Sequence, residues 1–454
     1  QEAIAYLRAA LDRSDPKDAD MLREIVPQLA RALTHVGDFE GASALWRDVL
    51  ATMPADHPKR AAVLRSLGMT NVWRGRHREA AAAFDEGLDS ARATSNPVAT
   101  VRLLVAKAHG LHEIGQGTEA LEVLAEALPI AEAVGDPALL ARVHRALALL
   151  HVWLGPPEKA IEHGERAIAL AEEVGDLAIG FWARWGLAVL AGMRGDTTRM
   201  MRIVDEINAM AEEARSPVLR LWTADMVVEH AFGTGDWDTG IALGEQAIAL
   251  ARSLNQRTLL PRLLVWTSQV HLARGDVERG EALVREAVDM AGIEKDGSLV
   301  DVHQVVPTYI GLAHYLLHLG DYEEAIEAAE KGLEIAEGTG YILWTLHRLL
   351  PVLGEACLWA GRFDRAAEVG ARLRAHSERI DHRIGRSLAD ACDALVQWKL
   401  GDPAGAVAQM LVAADELEAI PVIWPATRLR RQVAGRLADL GRREEALAEL
   451  RKVH

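Results

Sequence analysis

A short turn, Gly-Asp-x-x-x-Ala, recurs along the whole chain and constrains its fold more than any other feature. It is explicit at Gly37-Asp38 with Ala42 and at Gly320-Asp321 with Ala325. Looser copies start at Gly75, Gly115, Gly155, Gly195, Gly235, Gly275, Gly361, Gly401 and Gly441. Seven of the ten intervals between these eleven glycines are 40 residues, and the others are 38, 45 and 41. A fixed period of this length marks a solenoid, in which each repeat buries its apolar face against its neighbours.

The turn has a physical reading. Glycine ends a helix in the left-handed conformation, which a Cβ would penalise. The next residue is Asp in six copies (Asp38, Asp196, Asp236, Asp276, Asp321 and Asp402), suited to accept from the unpaired N–H groups of a new helix. Five residues after each glycine the side chain is small, as Ala or Gly, except at Met200. Seven residues before it the same holds, from Ala30 and Gly68 to Ala394 and Ala434, with Val228 the larger exception. Small residues on both sides of a tight turn let two antiparallel helices approach closely. The pattern therefore predicts a helical hairpin repeated eleven times.

The small residue of the first helix, the Gly320-Asp321-Tyr322 and Gly37-Asp38-Phe39 turns and the Ala of the second helix resemble the tetratricopeptide repeat. The resemblance covers roughly residues 18 to 454 and implies an all-α, right-handed superhelical solenoid of about eleven helix pairs. The repeat exceeds that family's 34-residue period by about six, which lengthens the helices by about a turn and a half per repeat. Long repeats of this kind are similar to the sensor regions of maltose-regulator-type activators, the large ATP-binding LuxR-family proteins, and of related bacterial ATPase or cyclase regulators. HEAT-type repeats share the period but rank second, without the Gly-Asp-aromatic turn.

Composition narrows the options. Half of the 454 residues are apolar, enough for a continuous core in one array. The net charge of −16, from 66 acidic and 50 basic residues, argues against nonspecific nucleic-acid binding. Two cysteines, Cys357 and Cys392, cannot build a disulfide framework, and a reduced cytoplasmic setting is expected. The most apolar stretch, Trp344 to Ala360, contains Arg348 and Glu355 and reads as a buried helix rather than a membrane span.

Residues 1–14 read as the second helix of a truncated repeat, broken at Ser14-Asp15-Pro16, and residues 15–454 as one continuous array. The chain enters at once into Ala3-Ile4-Ala5-Tyr6-Leu7, a helix already under way, so an N-terminal partner domain outside this sequence is expected. The resemblance implies an ATPase, cyclase or DNA-binding output domain there. The 45-residue interval places five extra residues near Gly292–Ser298, read as an exposed loop.

In the tetratricopeptide family the leading helices line the concave side. Its register puts inward positions 13, 10, 6 and 3 residues before each turn glycine, spacings that share one helical face. The groove candidates are then Arg102, His109 and His112 of the third repeat, Arg142 and Arg145 of the fourth, and Trp182 and Trp185 of the fifth. The sixth adds Trp222, Asp225, Glu229 and Phe232, the seventh Arg262 and Gln269, and later repeats His314, Arg348, Glu355 and Trp398. Rigid aromatics and arginines suit binding with little entropy to lose. Twelve Trp against five Phe and five Tyr strengthens the suspicion of an aromatic floor.

A plainer account competes with this. Trp46 and Trp73 fit packing roles near junctions, and Trp237 the turn aromatic. Trp182, Trp185 and Trp222 fit core and groove equally, because one residue of register rotates a helix by about 100°. The arginines also suit a solvated face paired to the next helix. His109 and His112 lack a third ligand in sequence, so no metal and no cofactor are expected. No phosphate-binding loop, nucleophile elbow or His-Glu-x-x-His helix is present. The chain reads as a non-catalytic sensor that takes a peptide segment or small metabolite in its groove, without nucleic-acid or membrane contact. The alternative is an interaction scaffold with no small-molecule ligand.

Overall fold

The computed structural model describes residues 2–13, 19–292, 301–420 and 422–453. Among the described residues the chain forms 23 α-helices and no strand. After α1 (Glu2–Asp12), the other 22 pair into eleven hairpins. Their leading helices are α2 (Ala19–His35), α4 (Arg60–Trp73), α6 (Pro97–Glu113), α8 (Pro137–Leu154), α10 (Leu177–Met193) and α12 (Pro217–Thr234). They continue with α14 (Leu260–Arg274), α16 (Val302–Leu319), α18 (Ile342–Trp359), α20 (Arg383–Leu400) and α22 (Ile423–Asp439). The break expected at residues 14–16 and most of the expected loop, from residue 293, lie outside the described residues; Gly292 itself ends α15 (Val277–Ala291) at φ 63°.

The turn chemistry follows from the residues. All eleven turn glycines have positive φ, from 71° at Gly75 to 106° at Gly401. Asp38, Asp196, Asp276 and Asp402 each accept from the backbone N–H three residues on, at 2.9–3.2 Å. Asp236 and Asp321 make no such bond, so two of the six expected caps are absent. Ala42, Ala120, Ala160, Ala325, Ala366 and Ala406 have no exposed surface. A Cβ on Gly68 would lie 2.3 Å from the Phe84 ring, so only glycine fits that approach. In the seventh repeat the small residue Ser268 spans the hairpin, donating its hydroxyl to the Gly280 carbonyl at 2.8 Å.

Stacked hairpins wind into a superhelix, and the winding is tight enough that its second turn seats on its first. Asn255 Nδ2 donates to the Gly37 carbonyl at 3.1 Å, across 218 residues. The Arg383 N–H donates to the Arg194 carbonyl at 3.3 Å, and Arg194 Nε to the Ile380 carbonyl at 3.1 Å. Leading helices far apart in sequence pack directly: α8 and α10 on α18, and α12 on α22. A continuous open groove was expected; its middle is instead closed. The reason is apolar: large inward side chains of α8 and α18 remove more surface from water by meeting each other than by lining a channel. Trp153 of α8 lies 4.8 Å from the Tyr341 ring and 6.1 Å from Trp344, and both tryptophans are buried. One core runs from Val152 to Val396, flanked by smaller ones over Ala61–Leu150 and Ala391–Ala446.

Candidate functional site

What remains of the lumen is a cavity of ≈ 320 Å³ among the leading helices α10, α12, α14, α16, α18, α20 and α22. Helix α18 presents Trp344, Arg348, Pro351 and Glu355 to it, a stripe with helical spacing. Trp266 of α14, Phe232 of α12 and Trp424 of α22 add aromatic walls, and Met226, Ile310, Leu317 and Leu350 aliphatic ones. The size suits a small organic ligand or a few residues of peptide.

The charges in the lining are paired with one another. Arg348 contacts Glu229, and Arg428 Nη2 lies 2.5 Å from Glu355 Oε1. Behind them Arg262 Nη2 donates to Asp225 Oδ2 at 2.7 Å, with both side chains buried. The guanidinium of Arg348 lies 4.4 Å from the Trp344 ring centre and 5.5 Å from that of Trp266, while Arg262 lies 5.0 Å from Trp344. Cation–π contact keeps the planar cations flat against the walls. Burial lowers Arg348 to about 9, against the pull of Asp225, so it stays charged at neutral pH. Burial acts against the charge on Arg262, but Asp225 outweighs it and the pKa rises.

The histidines carry no charge at neutral pH. Burial lowers His314 to about 3, helped by Arg428, and His347 to about 3, helped by His376. His382 is pushed well below the ordinary value by burial and by His347. The result is a cavity with an apolar wall, internally neutralised ions and neutral imidazoles. Two polar atoms in its lining have no partner: the buried Gln269 Nε2, a donor on α14, and Gln432 Oε1, an acceptor on α22. A buried polar group without a partner costs about 1–3 kcal/mol, which a bound group of opposite character would recover.

The residues read from the sequence fall into three places. Glu229, Arg262, Gln269, His314, Arg348 and Glu355 line the cavity, with Phe232. Trp182, Trp185 and Trp222 form an edge-to-face cluster with ring centres 5.2–5.8 Å apart, beside the cavity rather than in its wall. Trp185 is only 2% exposed and packs as core, whereas Trp182 and Trp222 are half-buried; Asp225 lies beneath with Arg262. The third group sits on the first superhelical turn, away from the cavity. Arg102 and Arg142 are exposed, and Arg145 and His109 half-buried. His112 is buried in the seam between turns, its Nε2 3.1 Å from His303 Nε2. Trp398 is half-buried under Arg436, 5.3 Å from its ring centre. Trp237 meets Trp424 at 4.9 Å, so this turn aromatic also joins α12 to α22; Trp46 is buried, and Trp73 is exposed beside Phe39.

Sequence reasoning missed Trp266, Trp344, Trp424, Gln432, His347 and His382 as wall residues. They lie outside the 13-10-6-3 register, because a lumen closed on all sides exposes a wider arc of each helix than an open groove does. Arg428 was within reach: it stands 13 residues before Gly441, the inward position that Arg262 and Arg348 occupy in their own repeats.

Eleven antiparallel hairpins wound around a ligand-sized lumen define a helical-repeat protein of the superhelical kind. The tetratricopeptide repeat model matches residues 99–173 and 306–339, and the chain is a tetratricopeptide-repeat protein. In fold it is similar to a Rap protein complexed with Competence and Sporulation Factor, at 13% identity and a TM-score of 0.57, over 79% of this chain and 97% of that one. Aspartyl phosphate phosphatase F from Bacillus subtilis aligns at 14% identity and 0.45, over 77% and 92%. A signal transduction ATPase with numerous domains and a tetratricopeptide repeat sensor, from Pyrococcus horikoshii, aligns at 14% and 0.34, over 89% and 53%. No curated protein matches the chain in sequence. Among the described residues no helix is long and apolar enough to cross a membrane.

Proposed function

We propose that the chain is a non-catalytic sensor domain whose lumen takes a short, largely apolar ligand bearing an amide, as a peptide segment or small metabolite. The observation that carries this is the pair of unpartnered glutamine atoms in an otherwise neutral, aromatic-walled cavity. A ligand amide offers its carbonyl to Gln269 Nε2 and its N–H to Gln432 Oε1, while its apolar parts meet Trp266, Trp344 and Leu350. The Rap protein of similar fold, which holds Competence and Sporulation Factor, supports a bound-factor reading. We place the domain in a larger cytoplasmic bacterial signalling or transcription-regulatory protein. There α1 is the second helix of a truncated repeat, residues 15–454 form one continuous array, and an ATPase, cyclase or DNA-binding domain lies upstream.

The test is a binding screen of short apolar peptides and amide metabolites, read by tryptophan fluorescence and melting temperature. A ligand at a hundred times its Kd stabilises the fold by about 2.7 kcal/mol. Substituting Gln269→Leu and Gln432→Leu should each weaken binding several-fold, at about 0.5–1.5 kcal/mol per lost hydrogen bond. If no small ligand shifts the melting curve and only an intact partner protein binds, the domain is a scaffold and the proposal falls.

A further inference from the structure

The first superhelical turn carries a surface of different chemistry. On the inward register of its hairpins stand Arg31 on α2, Arg65 on α4, Arg102 on α6, and Arg142 and Arg145 on α8. They lie 6, 10, 13, 13 and 10 residues before their own turn glycines, so they form one stripe across leading helices that pack side by side. Arg31, Arg102 and Arg142 are exposed, and Arg65 and Arg145 half-buried.

This stripe is short of carboxylates in a chain whose net charge is −16. Arg142 pairs with Asp176 at 3.1 Å. Among the described residues Arg31, Arg65, Arg102 and Arg145 have no ion pair or side-chain hydrogen bond. On the outer helices the usual arrangement is the opposite: Arg92 with Glu126, Arg252 with Glu286 and Arg279 with Glu245 all pair across consecutive repeats. Glu24 and Glu113 are the acidic residues on the inward faces of α2 and α6, the first exposed and the second buried in the seam. The arginines feel one another. Burial lowers Arg65, and Arg102, Arg142 and Arg31 each lower it further. Burial and Arg142 bring Arg145 to about 10 against the pull of Asp176, and Arg145 adds to the burial that holds His109 at about 4. A row of like charges that costs the fold repulsion and returns no internal pairing has its complement outside the chain.

We propose that this stripe docks an extended acidic segment of a partner protein. Packed helices lie about 8–10 Å apart, and an extended chain rises about 3.3 Å per residue. A segment with a carboxylate at about every third position therefore meets one arginine on each successive helix. Nucleic acid fits less well, because the acidic remainder of the chain repels a long polyanion.

The experiment uses the full chain and fluorescence anisotropy. The probes are a labelled peptide with glutamate at every third position, a peptide of equal composition with its glutamates gathered at one end, and single-stranded oligothymidine. The periodic peptide should bind best and weaken as salt rises from about 50 to about 300 mM. R65E/R102E should weaken it by at least about tenfold, and R102E alone, at an exposed site, should act in the same direction. R78E/R202E makes the same charge change on exposed arginines of the return helices and should leave binding within about twofold, with melting temperature unchanged. Three outcomes overturn the proposal: no peptide bound at low salt, oligothymidine preferred to the periodic peptide, or the two double reversals weakening binding equally.

Discussion

Substituting Arg262→Met tests the polar underside of the lumen. Asp225 is fully buried and its bonds converge on one oxygen: Arg262 Nε and Nη2 reach Oδ2 at 3.1 and 2.7 Å, while Oδ1 has no partner. Burial already raises the Asp225 carboxyl, with Arg262 pulling it down. Removing the guanidinium strands a carboxylate among Trp222, Trp266 and Trp344, and breaking a buried pair from one side costs about 3–5 kcal/mol. A repeat array need not unfold as one unit, so the readout is hydrogen exchange of α12 and α14 rather than a global melt. At 1.4 kcal/mol per tenfold, those amides should exchange about two to three and a half orders of magnitude faster. The sign with pH is fixed. Without Arg262 the folded-state pKa of Asp225 rises further above its unfolded value of about 3.9, so stability falls as pH rises through the folded value. The loss should be smaller at pH 5 than at pH 8, and D225L/R262M should recover most of it. Wild-type protection at pH 8, or a double variant as loose as R262M, would refute the reasoning.

Three further outcomes are expected. G68A places a methyl 2.3 Å from the Phe84 ring and should cost about 1–3 kcal/mol by overpacking; an unchanged urea midpoint would contradict that. N255A removes the bond to the Gly37 carbonyl and leaves alanine at φ 49°, so the first repeats should detach from the second turn, seen as a larger radius of gyration by solution scattering. Acid should loosen the fold. Burial holds His112, His314 and His347 at about 3, below an unfolded value of about 6.5, so stability is lost as pH falls from about 6.5 toward 3. Asp301 in the seam, raised by burial to about 6, acts the other way in part; H314Q should flatten the acid limb of the melting curve if the histidines dominate.

The repeat was legible because its determinants are local. A glycine at positive φ, a capping aspartate and two small side chains at fixed offsets specify one hairpin, and copying it specifies the array. What was not legible is the pitch. Whether the second turn touches the first depends on small rotations summed over several hairpins, and no pair such as Asn255 with Gly37 or His112 with His303 has a local signature. That pitch decided which inward residues became cavity, seam or free surface. Arg348 and Gln269 were assigned to a groove and line the lumen, His112 carries the same register and is sealed against His303, and Arg102 remains in solvent. Trp185 shows the other limit: a residue on the right face is still core when neighbouring tryptophans at similar positions cover it.

Because one coil rests on the other, the number of hairpins between their points of contact is not free to drift. An open array gains or loses a repeat at its middle with only a change in length. Here, deleting the segment from Gly115 to Gly155 would rotate everything downstream by one step of the winding. Asn255 would then face a turn other than Gly37, and Trp153 would be lost from beside Tyr341 and Trp344. Such a coil is counted like the teeth of a gear, and descendants of this chain should vary in repeat number at their ends before they vary within.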